Sequence, residues 1–122
     1  VSPIGILEYA GRRLVFTGDS NNSNEKYYCE TYPYVDCDVL KVAHHGSRTS
    51  SSEDFLQHVK CEYAVISVGD GNSYGHPEQE ALVRLKANGI QKIHRTDKCG
   101  NVVLTVSHTG EMAFSCEKQS AA

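Results

Sequence analysis

Apolar and polar positions follow one another along this chain in short blocks, which predicts strands interleaved with helices. Apolar runs at residues 4–9 and 13–17 flank Ala-Gly-Arg, a pattern typical of a β-hairpin. The run at residues 63–68 is almost wholly apolar, as in strands buried on both faces of a parallel sheet. Further strands are predicted at residues 39–43, 90–95, 102–107 and 112–116.

Two helices are predicted in the first half of the chain. The first spans about residues 24–32, with Asn24 as its cap and Pro33 as its end. The second begins near Ser50, since Ser50 and Glu53 match the S-x-x-E capping box. An apolar stripe then follows at Phe55, Leu56 and Val59.

A third helix is predicted after Pro77, a residue that suits the first turn because its missing N–H is not needed there. Its buried stripe is Ala81, Leu82 and Leu85, and Asn88-Gly89 is expected to end it with a left-handed residue. Strands alternating with helices indicate an α/β fold with a mixed sheet and two to three helices.

Length and composition are those of one globular domain. The chain has 122 residues, of which 39% are hydrophobic and 22% are charged, so a disordered or coiled-coil chain is excluded. No apolar run is long enough for a membrane span, and no signal peptide is recognisable. Without an initiator Met, the chain is expected to be a piece of something longer, with a domain at residues 1–117 and a disordered tail at 118–122.

The net charge of −3 argues against a surface devoted entirely to nucleic acid. Residues 84–99 are nevertheless basic, with Asp97 as their only acidic residue. A solvated helix face and strand edge is the simpler interpretation, and a weak phosphate-facing patch is the alternative.

Five cysteines occur, at positions 29, 37, 61, 99 and 116, and no two form a C-x-x-C pair. A zinc-finger type of site is therefore not expected, and most of the thiols are expected to be buried. Only a short turn separates Cys29 from Cys37, so the sequence leaves undecided whether these two form a disulfide.

Three predicted strands end in polar clusters. Asp19 follows the first, His44-His45 follows the second, and residues 69–76, ending in His76, follow the third. If these strands are parallel neighbours, the clusters converge at one edge of the sheet. Each cluster alone is weak evidence, because Gly-Asp is a common turn and His76 also fits a helix-capping position. The remaining histidines, His58, His94 and His108, look incidental.

An aspartate with two or three histidines is a ligand set suited to zinc or manganese. A carboxylate at a strand end can bridge two metal ions, and such a pair can clamp both oxygens of a reacting phosphoester. A site needs at least three protein ligands for each ion. The chain is therefore short of ligands for a complete centre.

Several segments together resemble the metallo-β-lactamase-like domain of ComEC-type DNA-uptake (competence) proteins. They are Leu-Val-Phe-Thr-Gly-Asp at 14–19, Asp-Val-Leu-Lys-Val-Ala-His-His-Gly-Ser at 38–47, Thr-Ser-Ser-Ser at 49–52, Ala-Val-Ile-Ser-Val-Gly at 64–69, Asn-x-Tyr-Gly-His-Pro at 72–77 and Arg-Thr-Asp at 95–97. Their order and spacing match from about residue 4 to 115. Bacterial phosphorylcholine esterases of the same superfamily share the His-His-Gly-Ser element.

The resemblance implies only the C-terminal half of that domain, a four-layer αββα sandwich of two similar halves. The H-x-H-x-D-H metal motif of the first half does not occur in this sequence. The chain is therefore expected to pair with an N-terminal half of the same domain. Alone it is expected to be inactive and to hold little or no metal.

The family's site residues are carried over position by position. Asp19 matches the carboxylate that bridges two metal ions, and His45 matches the last metal-binding histidine. His44 matches its neighbour on the substrate side, although which of the two histidines ligates stays open. His76 matches a phosphate ligand or proton donor. Ser47, Asn72 and Tyr74 match the substrate-binding loops.

The resemblance implies that the parent is a metal-dependent phosphodiesterase with two divalent ions, zinc or manganese, that acts on DNA during uptake. The parent is expected to be bacterial and membrane-anchored, with this domain outside the cytoplasm and this segment making no membrane contact. The alternatives are a cell-surface esterase of the phosphorylcholine type and a non-catalytic binding or structural module. A serine hydrolase using Ser47 lacks the G-x-S-x-G element it would need.

Overall fold

The computed structural model describes residues 4–18, 21–46, 50–68 and 77–117, with the side chains of His44 and His45 excepted. Its strands are β1 (Gly5–Tyr9), β2 (Arg12–Phe16), β3 (Val35–Asp36), β4 (Val39–Lys41), β5 (Val59–Lys60), β6 (Tyr63–Ile66), β7 (Lys92–Arg95), β8 (Val102–Val106) and β9 (Met112–Cys116). Its helices are α1 (Asn22–Thr31), α2 (Glu53–His58), α3 (Gln79–Ala87) and the single turn α4 (Thr96–Cys99), and a 3₁₀ turn spans Ala43–Gly46.

Five strands form the main sheet, in the order β1-β2-β4-β6-β7. Strands β2, β4, β6 and β7 are parallel, and β1 joins the edge antiparallel to β2. The predicted α/β class with a mixed sheet is confirmed. Strands β3 and β5 form a small parallel pair, and β8 and β9 form a separate antiparallel hairpin.

The β1–β2 hairpin turns on two residues with positive φ, Ala10 at 50° and Gly11 at 80°. Positive φ at both central positions is the geometry of a type I′ loop, whose twist follows that of the strands. The predicted hairpin is thus confirmed, with an alanine in a conformation that usually favours glycine or asparagine.

The hydrophobic core lies between the main sheet and the helices. Strand register places Val15, Leu40 and Ala64 side by side on one face, and all three are fully buried. Phe55 of α2 and Leu85 of α3 belong to the same cluster. Most residues of the apolar stripes predicted for these two helices are therefore buried.

The opposite face of the sheet is only partly covered. The β8–β9 hairpin lies against it, with the ring of Phe114 at 5.4 Å from that of Tyr63. Arg12 Nε donates to the carbonyl of Gly110 at the hairpin tip, at 2.7 Å. Nearer the β1 edge, Leu7 and Phe16 share this face and are 54% and 46% exposed. An apolar part of the sheet is thus left open to solvent.

The starts of α1 and α2 differ from the prediction by a few residues. Asn21 caps α1 and accepts from the N–H of Asn24 at 3.1 Å, while the Asn24 side chain accepts from Asn21 N–H. Asn24 is therefore the third helical residue. The Ser50–Glu53 capping box is wrong, because Glu53 is the first residue of α2 and Ser52 caps it, accepting from Phe55 N–H at 3.2 Å.

The predicted third helix is confirmed as α3, which begins at Gln79, two residues after Pro77. Asn88 ends it and Gly89 follows with φ of 92°, as expected for a left-handed helix terminus. The short α4 was not predicted, so the described residues contain four α-helices where two to three were expected. None of the helices described is long and apolar enough to cross a membrane. The predicted tail at 118–122 lies outside the described residues.

We expect Leu40→Ala to lower the free energy of unfolding by about 2–5 kcal/mol, because it opens a cavity between sheet and helices. Leu7→Ala, on the exposed edge strand, should cost less than about 1 kcal/mol. Urea denaturation of the two variants measures the difference. Similar losses for both would contradict the placement of the core.

Candidate functional site

The carboxyl ends of three parallel strands lie side by side at one edge of the sheet. Register pairs Phe16 at the end of β2 with Lys41 at the end of β4, and Lys41 with Val65 of β6. The chain leaves these strands towards residues 19–20, 44–49 and 69–76, the segments that contain the predicted site. Such an edge is where open α/β sheets bind their ligands.

Hydrogen bonds continue between the strands beyond their last paired residues. The buried Thr17 hydroxyl donates to the carbonyl of Lys41 at 2.5 Å, and Val42 N–H donates to the carbonyl of Val65 at 2.9 Å. The three chain segments are therefore held in register up to the point where the polar clusters begin.

The backbone of the histidine pair belongs to the 3₁₀ turn at Ala43–Gly46, which packs against the start of α3. Gly46 has φ of 82°, and a Cβ built on it would lie 2.6 Å from Cβ of Pro77. Its carbonyl accepts from Glu78 N–H at 2.9 Å. Only glycine fits here, since both the conformation and the contact exclude a side chain. The turn is thereby fixed beside the residue that follows His76.

The predicted site residues themselves are outside what the structure describes. Asp19, Ser47, Asn72, Tyr74 and His76 lie outside the described residues. For His44 and His45 the backbone is described and the side chains are not. The parallel neighbouring strands assumed for their convergence are present. The meeting of these side chains, and which histidine ligates, stay predictions.

A buried carboxylate that sequence reasoning missed anchors the segment after the histidine pair. Glu25 of α1 is fully buried and accepts from the N–H groups of Ser51 at 2.5 Å and Ser52 at 2.8 Å. Ser51 has φ of 56°, an uncommon conformation for a residue with a side chain. Burial raises the pKa of Glu25, while these hydrogen bonds act in the opposite direction. The sequence signal that could have indicated the burial of Glu25 is its position three residues before Tyr28, which is also buried.

Arg84 of α3 reaches the same segment from the other side. Its guanidinium donates to the carbonyls of Ser50 at 3.0 Å and Ser51 at 3.2 Å. Helices α1 and α3 thus hold the backbone at residues 50–52 through a buried carboxyl group and a guanidinium. These side chains replace the water that the buried peptide groups would otherwise bind.

The end of β6 is held by the Arg-Thr-Asp segment of the sequence. The Thr96 hydroxyl accepts from Val68 N–H at 2.7 Å and donates to Val68 carbonyl at 2.8 Å. Arg95 makes two hydrogen bonds to the carboxylate of Asp97, at 3.0 and 2.8 Å, and these hold the pKa of Asp97 below its ordinary value. This motif therefore positions the start of the segment at 69–76.

The basic stretch at 84–99 divides into two groups. Arg84 and Arg95 are occupied by the contacts just described, whereas the side chains of Lys86, Lys92 and Lys98 are exposed. The lysines line a groove at the outer edge of β7. Both interpretations of this stretch, solvated surface and phosphate-facing patch, stay open for the lysines alone.

A larger groove lies at the opposite edge of the sheet, where the parallel strands begin. Its walls include Arg13, Asp36, Asp38 and Glu62. Asp38 accepts from Arg12 Nη1 and from Arg13 N–H, both at 2.9 Å, and so joins β2 to the start of β4. These contacts explain the carboxylate as a structural group. The groove lies at the edge opposite to the carboxyl ends of β2, β4 and β6.

The thiols are arranged differently from what the spacing suggested. Cys37 lies beside Cys61, and a hydrogen bond between them raises the pKa of Cys61 and lowers that of Cys37. All five cysteines are free, so the open possibility of a Cys29–Cys37 disulfide is not realised. Among the described residues, one group of three metal-ligand types lies together, and it comprises His94, Cys99 and Cys116. His94 pairs with Val65 near the carboxyl end of β7 and Cys99 ends the turn after that strand, so this group lies beside β7 and shares no residue with the predicted site.

The described geometry defines a class: an α/β domain whose polar segments follow the carboxyl ends of parallel strands. No family model matches the chain. It is 38% identical over 96 residues to ComE operon protein 3 of Bacillus subtilis, which covers 79% of this chain and 12% of the relative. It is 39% identical over 104 residues to Competence protein ComA of Neisseria gonorrhoeae, covering 84% of this chain and 15% of the relative.

A third relative is Recombination protein 2 of Haemophilus influenzae, 39% identical over 72 residues, or 59% of this chain and 9% of the relative. The chain belongs to the ComEC family of bacterial competence proteins, as its sequence motifs predicted. It spans less than a sixth of the length of each of these relatives.

The pH dependence of stability tests the environment of Glu25. Because its pKa in the folded chain is raised above the ordinary value of 4.5, its contribution to stability is full below that pH. The contribution is lost as the pH rises through the folded-state pKa. Glu25→Gln cannot titrate, so the stability advantage of the native chain over this variant should shrink as the pH rises from 4 to 8.

Thermal or urea unfolding at several pH values measures that difference, with Glu80→Gln on the exposed surface of α3 as control. An advantage that grows with pH would mean that the ionised carboxylate is the favoured form. In that case the two N–H donors and Arg84 would outweigh burial, contrary to our expectation.

Proposed function

We propose that this chain is the C-terminal half of a metallo-β-lactamase-like domain in a ComEC-type DNA-uptake protein. The complete domain is proposed to be a metal-dependent phosphodiesterase that cleaves DNA. The observation that carries the proposal is the alignment of the ends of β2, β4 and β6, because the segments that follow these strands then begin at one edge of the sheet. Family membership supports the link to DNA uptake.

The donor types in these segments fit part of a metal centre. Aspartate and histidine suit zinc and manganese, and Asp19 and His45 are the proposed ligands, with His44 facing substrate. Two ligands do not complete a site, so the remaining ones are assigned to the N-terminal half of the domain. When bound, the cations supply positive charge next to the phosphodiester and lower the pKa of water.

The remaining residues are proposed to bind and orient the substrate. His76 directly precedes Pro77 at the start of α3, where it would hold a phosphate oxygen or donate a proton to the leaving oxygen. Ser47, Asn72 and Tyr74 offer hydroxyl and amide groups for hydrogen bonds to the nucleic acid. Glu25 fixes the backbone of Ser51 and Ser52, a few residues after Ser47 in the sequence.

The open face of the sheet supports pairing with another layer of the same domain. Leu7 and Phe16 lie on this face and are exposed, and the β8–β9 hairpin covers only the part of it near Tyr63. Exposed apolar patches commonly mark surfaces that another part of a protein covers. The N-terminal half of the domain is the proposed occupant.

A non-catalytic module is the second candidate, because the chain supplies fewer ligands than one metal ion needs. The two candidates differ in what the full-length protein does. A nuclease requires metal and hydrolyses DNA, whereas a binding module retains DNA without cleaving it. An esterase of the phosphorylcholine type would instead cleave that small substrate and leave DNA intact.

In the full-length protein we expect Asp19→Ala to abolish measurable DNA hydrolysis together with metal content, because the bridging carboxylate holds both ions. His76→Ala should lower the rate by about 10²–10⁴-fold, the usual loss for a general acid, and leave the metals in place. Metal analysis and hydrolysis of a phosphodiester substrate measure both effects, with Asn101→Ala as a surface control. An Asp19→Ala variant that keeps its metals and most of its rate would make Asp19 a turn residue only.

For the 122-residue chain alone we expect the Asp19–His45 edge to bind zinc no more tightly than micromolar. With two ligands, each ion would keep mostly water and gain little over the hydrated state. Calorimetric titration of a Cys99→Ala, Cys116→Ala chain measures this edge without thiolate ligands from that cluster. Tight binding that disappears with Asp19→Ala would show that the chain holds more of the centre than we assign to it.

A further inference from the structure

Three metal-ligand side chains that are distant in sequence meet where the last hairpin contacts the main sheet. His94 lies in β7, Cys99 ends α4, and Cys116 ends β9. Their ligand atoms all lie within 4.8 Å of one another, and Cys116 Sγ is 3.9 Å from His94 Nδ1. Ligand atoms around a tetrahedral zinc are separated by roughly 3.3–3.8 Å, given the usual Zn–S and Zn–N distances. Small side-chain movements therefore suffice to close the cluster on an ion.

The imidazole of His94 lacks the partners that a buried polar ring normally has. His94 is buried, with a relative exposure of 5%, and its Nε2 makes no hydrogen bond to any described residue. Nδ1 has only the long contact with Cys116 Sγ. A zinc ion on Nδ1 would give that nitrogen the strong partner it lacks, whereas Nε2 on the other side of the ring would not be affected. The ring is also held firmly, stacked on Phe114 at 4.2 Å and 16°.

The donor set favours a soft cation, because it combines one imidazole nitrogen with two sulfurs. Burial, together with the nearby Lys92, lowers the pKa of His94, which disfavours a proton on the nitrogen that would bind the ion. Both sulfurs would bind zinc as thiolates, with the thiol protons released to solvent. Two thiolates and one Zn²⁺ then sum to zero charge, which suits a site that is largely buried.

We propose that His94 Nδ1 and the Cys99 and Cys116 thiolates bind one zinc ion that joins the β8–β9 hairpin to β7 and α4. Cys116 is half-buried, so a water can reach the fourth position. The role is structural, because β8 and β9 pair only with each other and need contacts such as Phe114 to stay on the sheet. The proposed ligand set shares no residue with the Asp19–His45 set. Sequence reasoning missed this site, because its ligands lie in three separate elements and form no C-x-x-C pair.

Cobalt substitution in the reduced 122-residue chain tests the proposal. We expect one equivalent of Co²⁺ to produce thiolate-to-cobalt charge-transfer bands and the strong d–d bands of tetrahedral coordination, and equimolar Zn²⁺ to abolish them. Cys99→Ala, Cys116→Ala and His94→Gln should each remove the stoichiometric signal. Cys29→Ser, Cys37→Ala and Asp19→Ala are matched controls and should keep it.

A second measurement needs no variant. In the native chain, zinc should slow amide hydrogen exchange in β8 and β9 by at least tenfold and leave β1 unchanged. Absence of the cobalt bands, bands that vanish with Cys37→Ala, or unchanged exchange in the hairpin would each overturn the proposal. So would a reduced chain that binds no cobalt and, on mild oxidation, forms a Cys99–Cys116 disulfide instead.

Discussion

The parallel pairing of β2, β4 and β6 is the constraint on which the remaining structure depends. In-register hydrogen bonds bring three strand ends to one edge, and the Thr17 and Val42 contacts extend that register beyond the strands. The helices that connect these strands pack their apolar sides against the sheet, and strands and helices together form one hydrophobic core. A loss of register at any one strand would move its polar segment away from the other two.

Charged and polar groups hold the connections after those strands where hydrophobic packing does not. Glu25 and Arg84 bind the backbone at residues 50–52, Thr96 binds Val68, and Gly46 allows close contact with Pro77. Each of these groups acts on main-chain atoms, so the path of a loop is set independently of its own side chains. Family membership and this geometry are the grounds on which we propose a hydrolytic site shared with a further half of the domain.

The two proposed metal centres differ in their chemistry and in what they need from the rest of the protein. The centre proposed at the strand-end edge would use oxygen and nitrogen ligands and would need further ligands from another segment. The His94 cluster combines nitrogen with sulfur, lies against Phe114 and needs no other segment. One centre would serve a reaction and the other would stabilise the attachment of the last hairpin.

Local sequence was enough to determine the alternation of strands and helices, the β1–β2 hairpin, the termination of α3 at Asn88-Gly89 and the family of the chain. These features rest on periodicity, turn chemistry and short motifs, which are encoded within a few neighbouring residues. The first residues of α1 and α2 needed the structure, because several Asn and Ser residues compete as caps. The buried Glu25, the paired thiols of Cys37 and Cys61, and the meeting of His94 with Cys99 and Cys116 depend on contacts between distant segments. Tertiary packing alone decided them, since no local pattern records which residues a folded sheet brings together.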